Sequence, residues 1–138
     1  MKTKEEFGYC DHIGILSLNA QRLVSFYTKN FNFKFTQVDK LAMPLVKKIF
    51  ELNTECCFFR LENKKIKIEI FQPMRKPLKS VKSKLGIHHF GFVVKNQKEF
   101  LKRLKKKGVS ILIIKRNKHL IYFVIDPDGN KIEIRQLP

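Results

Sequence analysis

Apolar and polar residues alternate from Asp11 to Leu18. This sets His12, Gly14, Leu16 and Leu18 on one face of a predicted strand and Ile13, Ile15 and Ser17 on the other. The period then changes. Leu23, Phe26 and Tyr27 recur at helical spacing, which predicts a helix over Ala20–Asn30 capped by the side chain of Asn19. Asn32 suits the left-handed backbone that follows a helix end, and alternation resumes over residues 33–38. Within residues 40–53, Leu45, Ile49 and Leu52 behind Pro44 fit a short amphipathic helix, with a strand as the open alternative. Residues 54–61 and 65–71 predict a hairpin across Glu62-Asn63-Lys64. Residues 73–85, rich in lysine and holding Pro73 and Pro77, predict a linker, and residues 1–9 a loose arm.

The same order of elements then returns. A strand over residues 88–94 leads to a helix over 97–107, with Gly108 as its stop signal. Phe100, Leu101 and Leu104 face inward from that helix, while Lys102, Arg103, Lys105, Lys106 and Lys107 face water. Two strands follow over 109–115 and 119–125, then the turn Asp126-Pro127-Asp128-Gly129 and a last strand over 131–136. The recurrence extends to individual residues. HIGILSLN begins at His12 and HFGFVVKN at His89, and Lys67-Ile68-Glu69-Ile70 reappears unchanged as Lys131-Ile132-Glu133-Ile134. The fold class is therefore α+β, built from two βαβββ modules in a single domain. Module one spans about 10–72, the linker 73–85 and module two 86–138. The histidine-to-glutamate interval is 57 residues in the first module, from 12 to 69, and 44 in the second, from 89 to 133. Residues 40–53 account for nearly all of that difference, so they read as an insertion of the first module, placed to wall a pocket.

Composition narrows the picture further. A chain of 138 residues with 43% hydrophobic content buries a core of its own. No apolar run reaches the length of a membrane span and the first residues lack the apolar centre of a signal peptide, so cytoplasmic residence is expected. Cys10, Cys56 and Cys57 are an odd count with two adjacent, and adjacent strand residues point to opposite faces; all three read as reduced and non-catalytic. The formal net charge of +17 admits nucleic acid, an anionic surface or an anionic small molecule. Lysine outnumbers arginine along the whole chain, and no interleaved aromatic and basic motif of the RNA-binding type is present. That weighs against nucleic acid and leaves solvated lysine faces, or a small anionic substrate, as the readings of the charge.

Two histidines and two glutamates at equivalent places are the donors a divalent cation needs. Two carboxylates also neutralise a dication, and without a counter-charge two strand-borne glutamates facing a core are costly. The alternative is ordinary: the isoleucines of Lys-Ile-Glu-Ile face the core, Lys and Glu face solvent, and each histidine is a hydrogen-bonded structural residue. The coincidence of equivalent His and equivalent Glu in both modules favours the metal.

These residues, with Ser25-x-Tyr27 before Phe31-Asn32-Phe33, Gly86-Ile87-His88-His89-Phe90-Gly91-Phe92 and the tail DPDGNKIEI, resemble the vicinal oxygen chelate superfamily of glyoxalase I and its relatives. The resemblance runs from His12 to Gln136. It implies that the paired modules form a half-open curved mixed sheet, in a homodimer, holding one divalent ion of zinc, nickel, manganese, iron or cobalt. The implied ligands are His12, Glu69, His89 and Glu133. His88 is a neighbour pointing the other way. The ligand set is similar to that of metal-dependent glyoxalase I (lactoylglutathione lyase), which acts on an α-oxo thiol adduct. EIFQP followed by GIHHFGF looks more like methylmalonyl-CoA epimerase, and the asparagine-rich segment that follows the first glutamate in glyoxalase I is missing. Other members bind antibiotics without metal, or cleave catechols with iron. The enzymes of the first two kinds imply proton removal beside a carbonyl, with Glu133 as the catalytic base, alternating with Glu69. Lys67, Phe71, Lys131 and Arg135 share a face with the glutamates, where the cations suit a small anionic substrate.

Overall fold

The computed structural model describes residues 10–76 and 89–138. The arm expected at 1–9, most of the 73–85 linker and His88 lie outside the described residues. The chain divides into two compact units, Met1–Pro77 and Leu78–Pro138. Unit 1 holds β1 (His12–Leu16), α1 (Ala20–Asn30), β2 (Lys34–Leu41), α2 (Met43–Phe50), β3 (Cys56–Glu62) and β4 (Lys67–Pro73). Unit 2 holds β5 (His89–Val94), α3 (Gln97–Lys106), β6 (Ser110–Arg116), β7 (His119–Ile125) and β8 (Lys131–Gln136).

Each unit is one mixed four-stranded sheet of the same order, β1-β4-β3-β2 and β5-β8-β7-β6. The first and last strands of each module pair in parallel, and the other neighbours are antiparallel. The βαβββ plan is thus present twice, and α2 is the addition to the first copy.

Local chemistry explains the boundaries. Asn19 accepts from the Arg22 amide at 3.2 Å to open α1, and Asn96 accepts from the Glu99 amide at 3.1 Å to open α3, so the equivalent asparagines do equivalent work. Asn32 closes the first helix with φ +57° and Gly108 the second with φ +79°, both in the left-handed region. The turn before β8 is held by Asp126, whose Oδ1 accepts from the amides of Asp128 and Asn130, each at 2.9 Å.

The helices pack on the isoleucine face of each sheet. Ile15, Leu23, Tyr27, Phe33, Leu61, Ile68 and Ile70 are buried around α1, and Leu101, Leu104, Val124, Ile132 and Ile134 around α3. The tandem Lys-Ile-Glu-Ile therefore aims its isoleucines at the helices and its charged residues at the opposite face.

Unit 1 also buries part of that opposite face. Val46 of α2 is fully buried, and Phe50 stacks against Phe71 at 4.9 Å between ring centroids, with Phe58 a further 5.2 Å from Phe71. The helix alternative for residues 40–53 is thus the one realised, in a different phase. Leu45 and Ile49, expected inward, are exposed, and Val46 and Phe50 are the residues that dock.

Candidate metal and substrate site

His12 and Glu69 sit on neighbouring parallel strands, on the sheet face away from α1. The register pairs His12 with Lys67 and Gly14 with Glu69, so the glycine faces the glutamate backbone and His12 lies one pleat away. Unit 2 repeats this with His89 opposite Lys131 and Gly91 opposite Glu133. Gly91 sits at a close approach of the two strands. A Cβ there would lie 3.2 Å from the Glu133 carbonyl oxygen and 3.4 Å from its Cβ. In both units the imidazole Nε2 faces a carboxylate oxygen, at 3.3 Å for His12 and Glu69 and at 3.8 Å for His89 and Glu133.

Neither glutamate is solvent-facing in the ordinary sense. Their side chains are 13% and 16% exposed, so the isoleucines face the helices as in the ordinary alternative while the carboxylates on the other face are shielded by neighbours. Each is matched by an arginine. Arg60 donates from Nε and Nη2 to Glu69 Oε2, at 3.1 and 2.9 Å, and from Nη1 to Gln37 Oε1 at 3.0 Å, while its guanidinium lies over the Phe58 ring. Arg135 donates from Nε to Glu133 Oε2. The two arrangements are built differently. Register places Arg60 opposite Glu69 and Phe123 opposite Glu133, whereas the residue two past the glutamate is Phe71 in unit 1 and Arg135 in unit 2. Each carboxylate thus has one arginine and one aromatic neighbour, with the positions exchanged. Charge balance for the glutamates, assigned to a metal on sequence grounds, is supplied in part by these guanidinium groups.

His12 has carboxylates on both sides. Its Nδ1 lies 2.9 Å from Asp11 Oδ2, and Asp11 Oδ1 lies 3.3 Å from Lys67 Nζ. The hydrogen bonds from His12 and Lys67 hold the Asp11 carboxyl below its ordinary range. His89 meets the edge of the Phe123 ring at 5.2 Å, and a hollow of about 340 Å³ lined by His89, Phe92, Glu133 and Arg135 opens beside it.

With metal–donor bonds of roughly 2.1 Å, adjacent donors in a tetrahedral or octahedral site lie about 3.0–3.4 Å apart. The His12–Glu69 spacing meets that range and the His89–Glu133 spacing needs a small side-chain rotation. In both pairs Oε1 is turned to the imidazole and Oε2 to the arginine, the division expected of a carboxylate that ligates through one oxygen and is oriented through the other. Within each unit the His–Glu pair thus offers donors of the kind a divalent ion takes. Among the described residues no group of three or more His, Cys, Asp or Glu side chains is placed to hold a metal ion. Arg60 was missed by the pattern analysis, although an arginine between Phe59 and Leu61 in an apolar strand is a visible signal. The three cysteines are free; Cys56 is buried, and burial pushes its thiol pKa up. No helix among the described residues is long and apolar enough to cross a membrane.

Two βαβββ units with matched His–Glu pairs on the non-helical sheet face define a glyoxalase-type scaffold. Residues 11–124 match the model of the glyoxalase/bleomycin resistance protein/dioxygenase superfamily, and the chain belongs to that family. The matched stretch contains His12, Glu69 and His89 and stops before Glu133. Solved structures agree on the fold. A glyoxalase family protein from Enterococcus faecalis superposes with a TM-score of 0.69 at 21% identity, covering 93% of this chain and 97% of that one. One from Bacillus cereus gives 0.72 at 14% identity, covering 99% and 98%. The trypanothione-dependent glyoxalase I of Leishmania major gives 0.64 at 22% identity, covering 91% and 84%. No protein of curated function matches in sequence. Members of the superfamily commonly bind a divalent metal and a small ligand, and are often dimeric.

Proposed function

We propose that this protein is a metal-dependent glyoxalase-like lyase or isomerase of the lactoylglutathione lyase type, acting on an α-oxo thiol adduct. The observation that supports the reading is the His–Glu pair repeated in both units, and the proposed metal ligands are His12, Glu69, His89 and Glu133. A bound zinc, nickel, manganese, iron or cobalt ion would act as a Lewis acid on the substrate carbonyl. Glu133, half-shielded and held at Oε2 by Arg135, keeps Oε1 to take a proton from the carbon beside that carbonyl and return it to the neighbouring one. Glu69 is the proposed alternate in that transfer. Arg135 and Lys131, on the same face, suit an anionic substrate.

Epimerisation of an acyl thioester of the methylmalonyl-CoA kind needs the same proton transfer and is distinguished only by substrate. A second reading rests on a different observation. Because Arg60 and Arg135 already balance both glutamates, the same face is stable as a metal-free receptor for a small ligand such as an antibiotic.

Metal content decides between them. The enzyme reading expects about one transition metal per chain by mass spectrometry, lost in both His12→Ala and Glu133→Ala. It also expects Glu133→Gln to cost at least about 10²-fold in turnover. No uptake of any of the five metals would leave the receptor.

A further inference from the structure

We propose that Asp11 is a positioning residue that fixes the tautomer of His12 and aims its Nε2 lone pair at the metal position beside Glu69. This rests on the metal-site reading above and goes beyond the ligand set. An imidazole between two carboxylates cannot satisfy both with one proton. Neutral imidazole has one N–H and one lone pair, and the hydrogen bond at one nitrogen decides what the other presents. Distance settles the choice. Asp11 Oδ2 is 2.9 Å from Nδ1, a well-formed hydrogen bond, whereas Glu69 Oε1 is 3.3 Å from Nε2. Glu69 is also turned toward another partner, since its other oxygen receives two N–H groups of Arg60. The proton therefore stays on Nδ1. Nε2 is left with a lone pair facing a carboxylate, an arrangement that repels unless a cation lies between them.

Asp11 is itself held in place. Its backbone carbonyl accepts from the Lys67 amide at 3.1 Å, extending the β1–β4 ladder, and its Oδ1 meets Lys67 Nζ. Asp11 thus precedes the histidine in β1 and is anchored to the residue two before the glutamate in β4. One side chain ties together the strands that carry both donors of unit 1. In the repeat the residue in the same sequence place is His88, so the carboxylate at this position belongs to the first unit.

The test reads the tautomer directly. Long-range ¹H–¹⁵N correlation spectra of metal-free protein, at alkaline pH where imidazole is neutral, assign the proton-bearing nitrogen of His12. Wild type and Lys67→Met are expected to show Nδ1–H, since Lys67→Met leaves the Asp11–His12 bond intact. Asp11→Ala is expected to shift the population toward Nε2–H and to weaken zinc binding by about 10–100-fold in calorimetry. An unchanged His12 tautomer in Asp11→Ala would overturn the proposal. Because that readout needs no metal, it stands whether or not wild type takes up an ion, and a failure of the metal reading shows separately as no zinc uptake by wild type. Circular dichroism of each variant confirms that the fold is kept.

Discussion

At the scale of single residues, the two arginines that hold the glutamates are not interchangeable in energy. Arg60 is 32% exposed and reaches a carboxylate that is 13% exposed, whereas Arg135 is 73% exposed on a carboxylate that is 16% exposed. Removing a partner from a shielded charge leaves its desolvation uncompensated, while an exposed cation contributes little because water replaces it. In chelator-treated protein, Arg60→Met is therefore expected to lose about 1–3 kcal/mol of stability in urea titration. Arg135→Met is expected to lose less than about 1 kcal/mol. Equal losses would mean that Arg60 is no better shielded than Arg135 in solution. The same contrast assigns different work to the two cations. Arg60 is built into the sheet face, with Gln37 and Phe58 fixing the rest of its guanidinium, and Arg135 lines the hollow beside His89.

At the scale of elements, α2 separates the two copies of the module. It adds a buried layer to the sheet face that stays open in the plain βαβββ plan, through Val46 and the Phe50–Phe71–Phe58 cluster. Eight residues do not make a stable helix in water by themselves, so α2 persists through this docking. Val46→Ala removes two buried methyl groups, worth roughly 2 kcal/mol. Hydrogen exchange should quicken in α2 while α1 stays protected. Uniform loss of protection across unit 1 would instead show that α2 and the sheet unfold together.

The phase of this helix was not legible in advance, because its apolar residues form two overlapping stripes, Leu45/Ile49/Leu52 and Val46/Phe50. Only the aromatic surface supplied by β3 and β4 selects the second. Register hid Arg60 for a related reason. A turn at 62–64 would set Arg60 opposite Ile66. The loop is in fact Asn63–Ile66, closed by Asn63 Oδ1 accepting from the amides of Lys65 and Ile66, and Arg60 falls opposite Glu69. What was legible had a period or a repeat behind it. Strand alternation grouped His12 with Gly14 and Glu69 with Lys67 and Phe71, the matched asparagines marked both helix starts, and the duplicated Lys-Ile-Glu-Ile picked out both carboxylates. Shielding depends on neighbours in space, and no spacing along the chain encodes it.

At the scale of the whole molecule, the question is whether the charge of +17 serves the site or only the surface. Its densest run lies on α3, where Lys102, Lys105, Lys106 and Lys107 are exposed while Leu101 and Leu104 pack on the sheet. In unit 2 the helix covers the isoleucine face, and His89, Glu133 and Arg135 occupy the other. A sheet and a helix layer, about 10 Å from centre to centre, therefore stand between the lysine run and the site. At physiological ionic strength the Debye length is about 8 Å, so these lysines act on a bound anion only weakly. Arg135, lining the hollow, acts at contact distance. Reversing Lys102, Lys105 and Lys106 to glutamate together removes far more charge than Arg135→Ala and should still change kcat/KM for an anionic thiol adduct by less than about twofold in 0.15 M salt. Arg135→Ala should cost about tenfold, the value of one charge-assisted hydrogen bond. At low salt the triple variant should fall behind wild type, and the gap should close as salt is added, the mark of long-range steering. A triple variant that lost activity as deeply as Arg135→Ala, at every salt concentration, would place the substrate against α3 and move the site off the His–Glu face.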